Sequence, residues 1–355
     1  MNAARPSDAT LRWIVFLTLV VVGLFYVKWF PYYNRAFVAA DQHSIGNSIL
    51  MGTAAAPPEA SWDAAIGYAL AYGKAIWQAM VLGLLLGAGI QALLPADWVA
   101  RMLGKTGFGT VAAAGMLSIP SMMCSCCAAP VVVGLRERQA SPGAAIAFWL
   151  GNTVLNPATL VFMGFVLGWN WTALRIILGI AMVFGLGYLV NLMVTTKEAE
   201  AAEAKIAQLT SETEAPGATA LNAFVRWIDI FVRMSVRLIP EYIVLVLLLG
   251  AARAFLFPEI GPSVDNSIVW IVAFAVVGML FVIPTAGEVP IIQAMLALGM
   301  GAGPAAALLL TLPPVSLPSL VMVGGSFRMP VLLMVAAGVV MFGIVAGLIA
   351  VGLKM

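Results

Sequence analysis

The sequence has little charge and almost no histidine. Asp, Glu, Lys and Arg together make up only 10% of the 355 residues, and one residue is histidine, whereas 62% of the residues are hydrophobic. In soluble globular domains about 25% of the residues are charged. The formal net charge of +2 gives no basis for a nucleic-acid partner, because the few charges are spread along the whole chain. This composition indicates a membrane protein.

Cysteine is also scarce, and it is confined to one place. The three cysteines all lie within Cys124–Cys127, too close together for a framework of long-range disulfides. A four-ligand zinc site is not expected, because there is no second cysteine cluster and the one histidine, His43, lies far from the first. No Gly-x-x-x-x-Gly-Lys-Ser motif for nucleotide binding occurs. We therefore predict no cofactor, and we expect any transport to be driven by an ion gradient.

The apolar residues are gathered into runs near the roughly 20 residues that span a bilayer. The first run follows Arg5 and Arg12, but it exceeds a usual signal-peptide core and lacks a cleavage site, which favours an uncleaved helix. The 34 glycines and 20 prolines favour closely packed and interrupted helices. We predict an all-α polytopic membrane protein, surrounded by lipid in a bacterial inner membrane. The runs are Trp13–Phe30, Ala75–Leu94, Arg175–Val194, Ile239–Leu256 and Val331–Leu353.

Two stretches of the chain look like copies of each other, with matching points 161 to 164 residues apart. This repeat predicts an N-terminal transmembrane helix and external loop in residues 1–64 and a first transmembrane repeat in residues 65–194. A cytoplasmic linker is expected in residues 195–220, which are rich in Glu, Ala, Thr and Lys. The second repeat then occupies residues 221–355. The matching points are Ile119-Pro120 with Ile283-Pro284, Pro142 with Pro304, and Asn156-Pro157 with Leu317-Pro318.

The basic residues indicate how the two halves are oriented. If Gly107–Leu135 crossed the membrane once, Arg136 and Arg101 would lie on opposite sides, against the positive-inside rule. A re-entrant broken hairpin returns them to the same side, and Val269–Ala297 would be the equivalent hairpin of the second half. Each half then has three spanning helices plus one hairpin, which predicts an inverted repeat with an extra N-terminal helix. The alternative is eight full spans in parallel repeats after the first helix.

The most specific local feature is the thiol cluster between Pro120 and Pro130, at the tip of the first predicted hairpin. Thiolates favour soft, polarisable ions, and a non-helical turn between prolines can direct several sulfurs toward one cavity. We therefore assign Cys124, Ser125, Cys126 and Cys127 to a substrate site. The alternative is that the small apolar thiols only pack between helices.

Polar residues at the other predicted breaks are further candidates. Glu288 and Thr285 lie at the second tip, and a carboxylate at membrane depth is a candidate proton carrier. Asn152 and Asn156 flank another proline break, where exposed helix ends can bind a polar ligand. The alternatives are a hydrated glutamate near the interface and amides that only bond neighbouring helices.

The chain resembles a known family at Cys-Ser-Cys (residues 124–126), Ser-Pro-Gly-Ala-Ala (141–145) and Asn-Pro-x-Thr-Leu (156–160). These motifs are similar to those of the predicted-permease family that includes the ArsP organoarsenical efflux permeases and the YraQ-like proteins. The resemblance covers about Ala75–Ala350. It implies export of trivalent organoarsenicals such as methylarsenite, with Cys124 and Cys126 as metalloid ligands. Cys127 stands where glycine is expected in many relatives.

These residues are compatible with three functions. The first is a secondary transporter that exports a soft, thiophilic small molecule or metalloid, with proton coupling through Glu288. The second is a transporter of a sulfur compound such as thiosulfate. The third is a membrane thiol oxidoreductase that uses Cys124 with Cys126 or Cys127. We expect a permease and not an enzyme, and leave open whether it forms a homo-oligomer.

Overall fold

A computed structural model describes residues 8–51, 58–59, 61–195, 200–201, 204, 220–258 and 260–355. In this part of the chain the regular structure is helical, without β-strands. The prediction of an all-α polytopic membrane protein is confirmed, and most of the predicted linker lies outside the described residues. Six of the described helices are long and apolar enough to cross a membrane: Ala9–Gln42, Trp62–Leu93, Pro142–Val166, Trp169–Leu192, Leu221–Leu256 and Met329–Gly352.

A long N-terminal rod precedes the two halves. It consists of α1 (Asp8–Leu24), a π-turn (Phe25–Trp29) and α2 (Phe30–Gln42) without interruption. The sequence analysis placed an external loop after the first apolar run, from Pro31 onward, and the structure shows that the helix continues to Gln42. Pro31 lies at the first turn of α2, where a missing N–H is tolerated, and the π-turn before it accommodates the ring.

The first half is a series of long and broken helices. Its second and third units are each interrupted, α5 and α6 by residues 119–124 and α7 and α8 by Leu155-Asn156. The helices are α3 (Trp62–Leu93), α4 (Ala96–Leu103), α5 (Phe108–Ser118), α6 (Ser125–Glu137), α7 (Pro142–Val154), α8 (Pro157–Val166) and α9 (Trp169–Leu192).

The second half repeats this order of a long helix, two broken units and a final long helix. Its breaks lie at residues 281–287 and 312–316. The expected second crossing of this half, which follows the hairpin, is interrupted into helices of 10 and 7 residues, so neither piece is long enough to span alone. The helices are α10 (Ala220–Leu256), α11 (Ile268–Leu280), α12 (Glu288–Ala297), α13 (Ala302–Thr311), α14 (Leu317–Val323) and α15 (Met329–Gly352).

Proline and polar caps explain where the broken helices restart. Pro157 and Pro318 occupy the first turns of α8 and α14, where proline is favoured. Asn156 accepts hydrogen bonds from the N–H groups of the first turn of α8, and Ser316 forms a capping box with Ser319 at α14. These side chains replace the partners that the broken helix lacks.

Glycines bring α3 and α6 into backbone contact. A Cβ atom on Gly83 would overlap the carbonyl of Cys127, and one on Gly87 would overlap the carbonyl of Pro130. The approach is possible only because glycine has no side chain. It fixes the cysteine-bearing helix against the long helix α3, which itself packs along α10 of the other half.

The broken helices also pack across the two halves in a reciprocal way. Helix α6 of the first half contacts α14 of the second, and α12 of the second half contacts α8 of the first. The final long helices α9 and α15 contact each other. The interrupted elements of both halves therefore meet in the interior.

Two equivalent backbone hydrogen bonds close the turns before α7 and α13. Ser141 N donates to the carbonyl of Leu103 at 2.7 Å, and Gly301 N donates to the carbonyl of Val264 at 2.8 Å. Because Ser141 contacts Leu103, the basic residues around Arg101 and Arg138 lie at one end of the molecule. Arg138 also donates to the carbonyl of Gln91 near the end of α3.

Candidate functional site

A small cavity of about 10 Å³, with room for about one water molecule, lies where the breaks of the two halves meet. The first break contributes Met123 and Cys124, and the break between α7 and α8 contributes residues on either side of Leu155. The second half contributes the break before α12 and Pro313 from the break before α14. The lining residues are Met123, Cys124, Thr153, Asn156, Thr159, Ile283, Pro284, Thr285, Ala286, Glu288 and Pro313.

Three helices begin at this cavity. Cys124 is the N-cap of α6, Asn156 is the N-cap of α8, and Glu288 is the first residue of α12. The N-terminal ends of helices carry unpaired N–H groups and a partial positive charge. Their convergence gives the cavity a positive electrostatic character before any charged side chain is considered.

The three thiols are buried together but do not all face the cavity. Cys124 lines it, and its Sγ accepts a hydrogen bond from the N–H of Cys127 at 3.4 Å. The Sγ of Cys126 lies 3.6 Å from the hydroxyl of Ser316. The predicted non-helical turn from Pro120 to Pro130 is too long, because Ser125 and the two later cysteines already belong to α6 and Pro130 lies inside that helix.

Ser125 connects the two halves. Its hydroxyl oxygen lies 3.5 Å from that of Ser316, and its carbonyl accepts a hydrogen bond from the indole of Trp149 at 2.9 Å. Among the described residues, no group of three or more His, Cys, Asp or Glu side chains is arranged to hold a metal ion. Of the three thiols, Cys124 is the one that lines the cavity.

The two predicted asparagines have different roles. Asn152 braces the first break, because its Oδ1 accepts hydrogen bonds from the hydroxyl of Ser121 and from the N–H of Met123. Asn156 caps α8 through its Oδ1, at 3.1 Å from the N–H of Ala158. The Nδ2 of Asn156 is buried and has no hydrogen-bond acceptor among the described residues. It remains a donor at the wall of the cavity.

Thr285 binds a buried lysine that the sequence analysis missed. Lys28, from the π-turn of the N-terminal rod, donates to the Thr285 hydroxyl at 3.0 Å and lies 3.5 Å from the hydroxyl of Tyr32. It is 4% exposed. The sequence carried a signal for it, because Lys28 is a cation inside the first apolar run, and such residues are functional candidates by default.

Glu288 forms a buried ion pair with Arg175, which the sequence analysis also missed. The Arg175 Nη1 to Glu288 Oε1 distance is 2.7 Å, and the two side chains are 0% and 2% exposed. Arg175 also donates to the carbonyls of Val154 and Thr153, which the break between α7 and α8 leaves without helical partners. In the sequence Glu288 has no evident partner, although Arg175 begins one of the apolar runs.

Tyrosines of α3 hold the second break in place. Tyr68 donates to the carbonyl of Val282, and Tyr72 donates to the carbonyl of Ile283 at 3.2 Å. Both tyrosines are buried. Because these carbonyls precede α12, the hydrogen bonds satisfy backbone groups that a continuous helix would have paired.

The fold and the site define a multi-pass membrane protein in which interrupted helices enclose a polar, partly charged cavity. Residues 74–351 match a family described as "Predicted permease". The chain belongs to this predicted permease family. No solved structure matches the chain.

Two relatives are similar over different lengths. The UPF0718 protein YraQ of Escherichia coli (strain K12) is 48% identical over 349 residues, which cover 98% of this chain and 97% of that protein. The UPF0718 protein MJ0584 of Methanocaldococcus jannaschii is 37% identical over 113 residues, or 31% of each chain. The first similarity includes the N-terminal rod, whereas the family match begins after it.

Proposed function

We propose that the chain is a secondary transporter that exports a soft, thiophilic small molecule through the cavity beside Cys124. The observation that carries this proposal is a buried thiol at the meeting point of broken helices from both halves. A thiol there can bind a soft atom while backbone groups and amides bind its polar atoms. Trivalent organoarsenicals such as methylarsenite, which the family resemblance suggests, are the first substrates to test.

The helix order supports an inverted repeat that moves substrate by alternating access. The hydrogen bond from Ser141 to Leu103 and its counterpart from Gly301 to Val264 close equivalent turns, with donors 160 and acceptors 161 residues apart in the sequence. The first turn lies beside Arg101, and the second lies beside Asp265. This difference supports re-entrant hairpins that enter from opposite sides of a bacterial inner membrane, with the basic end in the cytoplasm.

Uptake into everted membrane vesicles tests the proposal. Vesicles that contain the protein should accumulate at least one member of a panel of methylarsenite, arsenite and thiosulfate above vesicles without it. Cys124→Ser should abolish this uptake, because serine keeps the size of the side chain but loses soft ligation. Equal uptake by the wild type and Cys124→Ser at equal protein levels would remove the thiol from the site.

Glu288 is proposed to couple transport to protons by exchanging its ion pair with Arg175 for a proton. Protonation would neutralise the carboxylate and release the arginine, so that the two halves can separate on one side of the membrane. Glu288→Gln imitates the neutral form. Its vesicles should exchange substrate between equal pools but should not accumulate it when ΔpH is imposed. Accumulation with the wild-type dependence on ΔpH would place coupling at another residue.

A further inference from the structure

We infer that Thr285 and Asn156, which line the cavity, form an anion subsite with Lys28, which donates to the Thr285 hydroxyl from behind the lining, and that the substrate is a small anion with a soft sulfur atom. This inference rests on the proposed transport function and narrows its substrate class. The anionic oxygens would be held by the lysine side of the cavity, while the sulfur would face Cys124. The N-terminal rod therefore supplies part of the binding site.

The first observation is the position of the Lys28 ammonium group. It is buried on the π-turn of the rod, and its hydrogen-bond partners are the hydroxyls of Thr285 and Tyr32. No carboxylate lies within ion-pair distance of it among the described residues. A buried ammonium group is costly unless an anion compensates it. The indole of Trp29 fixes this turn by donating to the carbonyl of Pro120 at 2.6 Å, beside the first break.

The second observation is an unused donor on the opposite wall. Asn156 is 1% exposed and lines the cavity, and its Nδ2 has no acceptor among the described residues. A buried donor without a partner costs roughly 1–3 kcal/mol, so a ligand that supplies an acceptor is favoured. Together with the hydroxyl of Thr285, this amide presents polar groups on two sides of the same space.

The charges of the site point in the same direction. Glu288 is neutralised by Arg175 at 2.7 Å, which leaves the positive charge of Lys28 uncompensated among the described residues. The three helix N-termini that meet at the cavity add to this positive potential through their helix dipoles. An anion in the cavity would compensate the positive charge of Lys28, whereas an uncharged ligand would leave that charge buried without a counter-ion.

The thiol of Cys124 is the reason to expect a soft atom in the ligand. This thiol lines the same cavity as Asn156 and Thr285, so one small molecule can reach all three. At about 10 Å³ the cavity has room for about one water molecule, so an ion of a few heavy atoms binds when the two halves separate, as alternating access provides. Lys28 precedes residue 74, where the family match begins.

The test compares one anionic and one uncharged soft probe. Thiosulfate carries negative charge and a terminal sulfur, whereas methylarsenite is uncharged at neutral pH. Lys28→Met should raise the KM for thiosulfate uptake by about tenfold to a hundredfold, the loss expected for one charge-assisted hydrogen bond, and change methylarsenite uptake by less than about twofold. Lys74→Met is the matched control, because Lys74 is exposed on α3, and its uptake of both probes should equal that of the wild type.

A binding measurement on the purified wild-type protein distinguishes the proposed anion subsite from the proposed transport function. Thiosulfate should raise its thermal unfolding temperature in detergent, and sulfate, which lacks the soft sulfur, should do so only at higher concentration. Thiosulfate binding without uptake of any probe would support the anion subsite and reject the transport function. Absence of stabilisation by thiosulfate, or an equal effect of Lys28→Met on both probes, would overturn the anion subsite while methylarsenite uptake still supported transport.

Discussion

At the scale of single residues, the site depends on charged side chains that lie far apart in the sequence. Arg175 and Glu288 are separated by 113 residues, and Lys28 and Thr285 by 257. Cys124, Asn156, Thr285 and Glu288, which line one cavity, were predictable because each lies near a proline break. The cations Lys28 and Arg175 were not predictable as site residues, because their partners are defined by helix packing, which no local pattern describes.

The buried ion pair gives a prediction about stability. Arg175→Met leaves the Glu288 carboxylate buried without its cation, and removal of one partner from a buried pair costs about 3–5 kcal/mol. Arg175→Met/Glu288→Gln removes both charges and should recover part of that loss. It should not recover all of it, because the carbonyls of Val154 and Thr153 still lose their donor.

Unfolding of the purified variants in detergent measures both effects. The matched control is the exposed pair of Arg233 and Asp229, whose side chains are 71% and 55% accessible. Arg233→Met should change stability little, because exposed ion pairs contribute less than about 1 kcal/mol. If Arg175→Met were no less stable than Arg233→Met, Glu288 would have to find another partner or become neutral.

At the scale of secondary-structure elements, prolines had different effects at different positions. Breaks were predicted near Pro120, Pro157 and Pro284, and each of these prolines lies at a helix interruption or restart. Pro31 and Pro130 were also taken as boundaries, yet both lie inside helical segments. The sequence cannot separate these cases, because a missing N–H is tolerated wherever the geometry of the turn or a neighbouring group compensates for it.

The contact between α3 and α6 provides a test at this scale. Gly83→Ala would place a methyl group on the carbonyl of Cys127, so α6 must move away from α3. We expect destabilisation of about 1–3 kcal/mol, the usual cost of overpacking, together with weaker transport because the cysteines move with α6. Gly73→Ala on the same helix is the control, since no atom lies within 4 Å of its added Cβ.

Thermal unfolding and vesicle uptake of the two glycine variants should therefore diverge. Gly73→Ala should match or slightly exceed the wild type in stability, because alanine favours a helix over glycine. If Gly83→Ala behaved in the same way, the close approach of the two helices would not be needed for either folding or transport.

At the scale of the whole molecule, the positions of charge relate the fold to the membrane. Arg101 and Arg138 lie at one end, close to the hydrogen bond between Ser141 and Leu103, while Asp265 adjoins the equivalent turn of the second half. The positive-inside rule predicted that Arg101 and Arg136 lie on the same side of the membrane. This was possible from sequence because the rule concerns loops and does not require knowledge of helix packing. The contacts between broken units of the two halves depend on helix packing, and the sequence did not predict them in detail.

The last prediction tests the re-entrant arrangement directly. The native cysteines are buried, so a cysteine introduced at an exposed position should dominate labelling by a membrane-impermeant maleimide. Arg101→Cys and Glu137→Cys should both be labelled in everted vesicles and protected in intact cells, because a hairpin returns the chain to the side from which it entered. Asp265→Cys should show the reverse pattern. Eight full spans would instead place positions 101 and 137 on opposite sides, so opposite labelling of those two variants would exclude the inverted repeat and, with it, alternating access by symmetric hairpins.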